Sequence, residues 1–139
     1  MKTHEIIYTI EASLDPEEFI DVLKDSTLGK RRPVEETDRI CVMCENANLI
    51  VTARENGRMV GIARALTDYG FCTYLSDLAV RERYQHQGIG KALIKKVKEA
   101  TPQATLILLS APAAVDYYPK IGMTKHPAAF VLKDINDLK

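Results

Sequence analysis

An apolar run from Phe71 to Val80 passes through a polar turn and enters a helix at about Gly88, where the chain reads Gly88-Ile89-Gly90-Lys91-Ala92-Leu93. A strand that feeds a helix through Gly-x-Gly leaves a row of backbone N–H groups unpaired at the positive end of the helix dipole. Such a turn is suited to phosphate. Gly88 and Gly90 matter because a side chain would hold the phosphate off and restrict the turn. Two familiar phosphate loops fit poorly. A P-loop needs glycine in place of Gln85 and a hydroxyl residue in place of Ala92, and the dinucleotide fingerprint needs glycine in place of Leu93.

Charge and length narrow the class. The chain has 139 residues, with Lys plus Arg equal to Asp plus Glu at 19 each. That is enough for one domain with a real core, and no global field favours nucleic acid or an anionic membrane. Met1-Lys2 leads into His4 and Glu5 rather than an apolar run, so neither a signal peptide nor a membrane span is expected. Three cysteines and no secretion signal point to free thiols in a reducing, cytoplasmic setting.

In order, His4 to Ile10 reads as a first strand. Asp15-Pro16-Glu17-Glu18 starts a helix, with Asp as cap and Pro in the first turn. After the basic turn Gly29-Lys30-Arg31-Arg32-Pro33, a second helix is expected from Val34 to about Glu45. Leu49–Arg54 and Met59–Leu66 read as strands around a tight Asn56-Gly57 hairpin turn. The central strand and the Gly88 helix follow, with Ile89, Leu93 and Val97 on its apolar side. Thr105 to Leu109 reads as a strand, Ala113 to Ile121 as a helix closed by Gly122, and Ala128 to Leu132 as a last strand. The order is βααβββαβαβ, an α/β layer fold whose sheet starts mostly antiparallel.

Cys41 and Cys44 have the spacing of a metal pair but stand without a second pair, mid-helix, and read as free thiols. Arg31-Arg32 reads equally as an anion-steering pair and as an ordinary basic turn. Lys91, Lys95, Lys96 and Lys98 read mostly as a solvated helix face, with Lys91 near the phosphates.

Two motifs carry a family resemblance. Gln85, Gly88 and Gly90 form Gln-x-x-Gly-x-Gly behind the strand Asp77-Leu78-Ala79-Val80, and Ala114-Val115-Asp116-Tyr117-Tyr118-Pro119-Lys120-Ile121-Gly122-Met123 lies downstream. Together, over about residues 49–132, they resemble the pyrophosphate loop and the tyrosine-bearing helix of the GNAT N-acetyltransferases. The resemblance implies that residues 1–139 form a single acyl-CoA N-acyltransferase domain with a GNAT-like mixed, mostly antiparallel sheet and about four helices. It also implies acetyl-CoA as co-substrate, no metal, and direct transfer to a small-molecule primary amine. A protein amine as acceptor, and a CoA-binding sensor with weak chemistry, are the alternatives. Neither nucleic acid nor membrane is an expected partner, and a homodimer is left open.

The residues implied for the cofactor are Leu78, Ala79 and Val80 on the strand, Gln85, His86, Gln87, Gly88, Ile89, Gly90 and Lys91 in the turn, and Ser110, Tyr118 and Lys120 downstream. His86 is expected to contribute chiefly its backbone N–H. If the strand leaves its neighbour after Val80, the Leu78 and Val80 backbones are free to pair with pantetheine amides. Tyr118 aligns with the family's general acid: a phenol with a pKa of roughly 10 keeps its proton at neutral pH and can give it to a thiolate. Asp77 is the candidate base. Ala111 stands where the family often has Asn, so that one cofactor contact is either lost or moved to Ser110, and Pro119 is expected to kink the helix at Tyr118.

Overall fold

The Asn56-Gly57 turn has both residues at positive φ, 51° and 81°, the geometry that matches the twist of two antiparallel strands. It joins β2 (Leu49–Glu55) to β3 (Arg58–Thr67) in a computed structural model that describes residues 5–139. His4, at the start of the expected first strand, lies outside the described residues. β1 (Ile6–Glu11) pairs antiparallel with β2, β3 with β4 (Cys72–Val80), and β5 (Thr105–Ile107) adds in parallel to β4. The sheet order is β1-β2-β3-β4-β5, the expected mixed sheet with an antiparallel start.

Helices cover both faces. α1 (Pro16–Lys24) begins as expected, with the Asp15 carboxylate accepting from the Glu18 N–H at 3.3 Å. Its Phe19, Val22 and Leu23 join Ile40 and Cys44 of α2 (Thr37–Asn46) over Ile50, Met59, Ile62 and Ala79. Each fully buried side chain of this size contributes about 2 kcal/mol. α3 (Ile89–Ala100) lays Ile89, Leu93 and Val97 on the other face, against Val51, Ala53, Ala63, Ala65 and Leu75.

α3 lies close because β3 has a glycine beneath it. A Cβ on Gly61 would sit 3.1 Å from Ile89 Cγ2 and 3.2 Å from Leu93 Cδ1.

The chain divides into two units, one ending at Leu109 and one running from Ser110 to Lys139. In the second, the expected helix from Ala113 to Ile121 is a 3-10 turn at Pro112–Ala114 followed by a single turn, α4 (Tyr117–Lys120). Pro119 has no N–H to continue the helical ladder, which accounts for the break. Gly122 closes the turn at φ 101°, the expected left-handed cap. The expected strand at Ala128–Leu132 is not formed. Its unit contains no other strand, and an unpaired strand satisfies none of its backbone groups.

Gly61→Val should lower stability by about 1–3 kcal/mol, because the branched side chain meets Ile89 and Leu93. Urea unfolding reads this, and an unchanged midpoint would show that α3 can stand off from the sheet.

Candidate active site

β4 carries one extra residue relative to β3. Ala65 pairs with Leu75 and Arg64 with Asp77, so Ser76 is bulged. The bulge reverses the alternation that Leu75 begins. Leu75 packs toward α3, whereas Ala79 packs with the α1–α2 cluster, and Leu78 and Val80 pack on the α3 side. Asp77 thereby reaches two guanidiniums. Its Oδ1 accepts from Arg32 Nε and its Oδ2 from Arg64 Nε, and its side chain is fully buried. Arg32 also donates to the Ser76 carbonyl at 2.7 Å, and Arg64 donates to Ser76 Oγ at 3.0 Å and to the Met43 carbonyl at 3.1 Å.

This arrangement corrects two expectations. A base must reach the amine proton, but both oxygens of Asp77 are engaged inside the protein. Asp77 is a buried anchor. Arg32 is not an anion-steering residue on an open turn, since it ties the segment before α2 to the bulge.

After Val80 the chain is pinned again. The Arg81 N–H donates to the Val60 carbonyl at 2.9 Å, while its buried guanidinium donates to Met59 O at 2.7 Å and pairs with Asp21 at 2.7 Å and Asp25 at 3.3 Å. The Glu82 N–H donates to the Asp25 carbonyl at 2.8 Å. A 3-10 turn at Glu82–Tyr84 follows. His86 (φ 63°) and Gly88 (φ 84°) then turn the chain into α3.

Gly88 is the N-cap and makes no side-chain cap bond, and the first intrahelical bond there runs from Ala92 N to Gly88 O at 3.0 Å. The N–H groups of Ile89, Gly90 and Lys91 therefore have no intrahelical acceptor. His86, Gln87, Gly88 and Lys91 are exposed, whereas the Ile89 side chain is in the core. Two side chains shape the turn from within. Gln85 Nε2 donates to the Val80 carbonyl at 2.9 Å, and Gln87 Nε2 to the Arg83 carbonyl at 3.1 Å.

β4 and β5 share three partners, Cys72 with Thr105, Thr73 with Leu106 and Tyr74 with Ile107. From Leu75 to Val80 no strand among the described residues pairs on that side of β4. The divergence comes earlier than expected, after Tyr74 rather than Val80, because β5 is three residues long. Residues of a strand turn their backbone groups to alternate sides. Arg81 points toward β3, so Ala79 does too, and Leu78 and Val80 point to the free edge. Ala79 thus belongs to the ladder and the core, and Val80 keeps its N–H while Gln85 takes its carbonyl. The result is an unpaired strand edge leading to an uncapped helix N-terminus.

A family model described as acetyltransferase (GNAT) domain matches residues 15–138. The chain belongs to this family. Among its relatives, the uncharacterised N-acetyltransferase ycf52 of Pyropia yezoensis is 29% identical over 115 residues, covering 78% of this chain and 64% of that protein. GCN5-related N-acetyltransferase 2, chloroplastic, of Arabidopsis thaliana is 32% identical over 77 residues, 53% of this chain and 30% of that protein. This GNAT chain thus spans 64% of the length of the first of these relatives and less of the second. Two solved structures share the fold. A GNAT family protein from Streptococcus pneumoniae superposes with TM-score 0.72 at 19% identity, over 94% of this chain and 100% of its own. An aminoglycoside N-acetyltransferase in complex with CoA superposes with TM-score 0.73 at 12% identity, over 96% of this chain and 97% of its own.

The remaining candidates of this GNAT domain lie in the second unit. The Ser110 hydroxyl donates to the Ala111 carbonyl at 2.7 Å. Tyr117 and Tyr118 meet edge to face at 5.3 Å between centroids. Burial, and then the neighbouring Tyr117, push the Tyr118 phenol above its ordinary 10.0. Lys120 is exposed in the last turn of α4.

Arg64 and Arg81 were missed from sequence. The available signal was a charged residue inside or just after an apolar strand, which is rarely buried without a partner. Cys44 is buried and Cys41 half-buried in α2, and burial pushes the Cys44 thiol up to about 11, so it behaves as a core residue.

Asp77→Asn leaves two guanidiniums short of a counter-charge and should cost about 3 kcal/mol of stability, while folded protein keeps its turnover within a few-fold. Denaturant unfolding and kcat are measured together. A fall in kcat of about 10²-fold at unchanged stability would make Asp77 a base after all.

Proposed function

We propose that this GNAT domain transfers an acetyl group from acetyl-CoA to a small primary amine, directly and without a covalent enzyme intermediate. The observation that carries the reading is the free β4 edge from Leu75 to Val80 ending at the uncapped first turn of α3. The N–H groups of Ile89, Gly90 and Lys91 suit the pyrophosphate, with Lys91 adding charge. His86, Gln87 and Gly88 surround the same turn, and Gln85 acts by holding Val80 rather than by touching phosphate. The Leu78 backbone and the Val80 N–H suit the pantetheine amides. The free edge spans about 17 Å at strand rise, the scale of an extended pantetheine arm.

In the reaction the neutral amine attacks the thioester carbon, an outward N–H of β4 polarises the carbonyl, the C–N bond forms and the C–S bond breaks. Tyr118 gives its proton to the departing thiolate, and the proton released by the new amide nitrogen passes through solvent and restores the phenol. The phenol is protonated throughout the neutral range, so its proton is available there, although burial, by raising its pKa, makes it a weaker acid than a free phenol. Ser110 and Lys120 are secondary cofactor contacts on this reading. Aminoglycoside acetyltransferases among the structural neighbours support a small-molecule amine. A CoA-binding sensor is the second reading, favoured by Ala111 in place of Asn and by the one-turn α4.

An amine panel with acetyl-CoA, followed by free thiol release, separates the two: turnover supports the enzyme, and tight acetyl-CoA binding with none supports the sensor. Gly88→Val forces a branched residue to φ 84°, costing about 1–2 kcal/mol of stability, and should abolish acetyl-CoA binding in calorimetry. Unchanged affinity in the folded variant would remove the phosphate turn from the reading. Tyr118→Phe keeps the ring and should lower kcat by about 10²-fold with little change in acetyl-CoA affinity. Near-full turnover would pass the acid role to another group.

A further inference from the structure

On the α1–α2 face of the sheet, the row Leu66–Tyr74–Ile107 runs in register across β3, β4 and β5. All three side chains are exposed, at 41%, 39% and 49%. They floor a groove of about 600 Å³, with Asn46, Asn48, Thr67, Asp68, Cys72 and Thr73 around them. Tyr74 and Ile107 are also the last pair before β4 and β5 separate. The groove therefore begins where the free edge of β4 begins, at the place the proposed thioester reaches.

Among the described residues that line it none is Lys, Arg or His, and the charged one is Asp68. Asp68 caps the β3–β4 turn through one oxygen: Oδ1 accepts from the N–H groups of Gly70, Phe71 and Cys72 at 2.9, 2.7 and 3.0 Å. Those bonds, Phe71 and Cys72 foremost, hold its carboxyl down to about 2, so it is ionised at any working pH. Among the described residues Oδ2 meets the Cys72 thiol, at 3.7 Å, and is otherwise open to a ligand. Asn48 is spent on Thr67, whose N–H it accepts at 2.9 Å and whose carbonyl it donates to at 2.7 Å.

We propose that this groove takes a diamine as acceptor, its distal ammonium on Asp68 and its alkyl chain along Leu66, Tyr74 and Ile107. The reacting nitrogen then lies at the point of strand divergence. Asp68 stands opposite Cys72, two residues along and one strand across from Tyr74. Strand geometry makes that about 8 Å, which a chain of about five methylenes crosses. An acceptor bearing a carboxylate finds no counter-charge among the described lining residues and meets Asp68. The assignment rests on the acetyltransferase reading for delivery of the thioester, whereas the binding itself does not.

Cadaverine and 1-pentanol share a chain length, and the first alone carries ammonium. Titrated calorimetrically into the protein without acetyl-CoA, cadaverine should bind about fivefold more tightly, the scale of an exposed ion pair, and the advantage should shrink as salt is raised. Asp68→Asn keeps the turn-capping oxygen and should erase the difference while leaving 1-pentanol unchanged. Leu66→Lys, which places a cation on the groove floor, should erase it independently if Asp68→Asn proves unstable. With acetyl-CoA present, cadaverine should exceed pentylamine about fivefold in kcat/KM, and Asp68→Asn should remove that advantage, because the single ammonium of pentylamine cannot pair with Asp68 and face the thioester at once. Equal binding of cadaverine and 1-pentanol, no binding of either, or an advantage that survives both variants would overturn the assignment. Discriminating binding with no turnover on any amine would sink the enzyme reading and leave the groove standing; turnover without discrimination would do the reverse.

Discussion

Asp77, held between Arg32 and Arg64 beside the Ser76 bulge, is the contact on which the rest of this fold leans. Buried carboxylates are expensive unless paired, and removing one partner of such a group is worse than never having built it. Two guanidiniums meet the need here, from elements far apart in sequence. Arg64 comes from the neighbouring strand and Arg32 from the segment between α1 and α2. The bulge decides which face Asp77 occupies. Without Ser76 as an extra residue, Asp77 would face α3 and its apolar side chains. One inserted residue thus couples the α1–α2 layer to the middle of β4.

That coupling matters because β4 serves two purposes along its length. From Cys72 to Tyr74 it is an interior strand, paired on both sides. From Leu75 to Val80, among the described residues, it is paired with β3 alone. An open edge is usually a liability that proteins shield or blunt. Here it is held by Arg32 on the Ser76 carbonyl at one end and by Arg81 and Gln85 at the other. A fixed row of donors and acceptors suits an extended ligand with regularly placed amides.

Backbone strain marks both ends of the same strand. Among the described residues other than glycine, three have positive φ: Asn56 in the hairpin turn, Tyr69 just before β4 and His86 just after it. Tyr69 is held by its N–H to Thr67 Oγ1 and its hydroxyl to the Asn48 carbonyl. His86 sits where the chain must wrap around the α3 N-terminus. Such strain persists where surrounding structure over-determines it. Both turns flank the surfaces assigned to ligands.

Local signals in the sequence carried most of the architecture. Asp15-Pro16 marked a helix start, Asn56-Gly57 a hairpin, Gly122 a left-handed cap, and Gly88-x-Gly90 the entry to α3. Each rests on a backbone requirement that few residue types meet, so it is legible from a few letters. The pairing of residues distant in sequence was not legible. Nothing near Asp77 announces that Arg32 and Arg64 will bracket it, so it read as a candidate base, and Arg32 as half of a basic turn. The Ala128–Leu132 run looked like a strand because apolar alternation reports propensity, but a strand also needs a neighbour. Only tertiary structure decided those points, because burial and pairing depend on where other segments arrive, whereas turns and caps depend on the residues that form them.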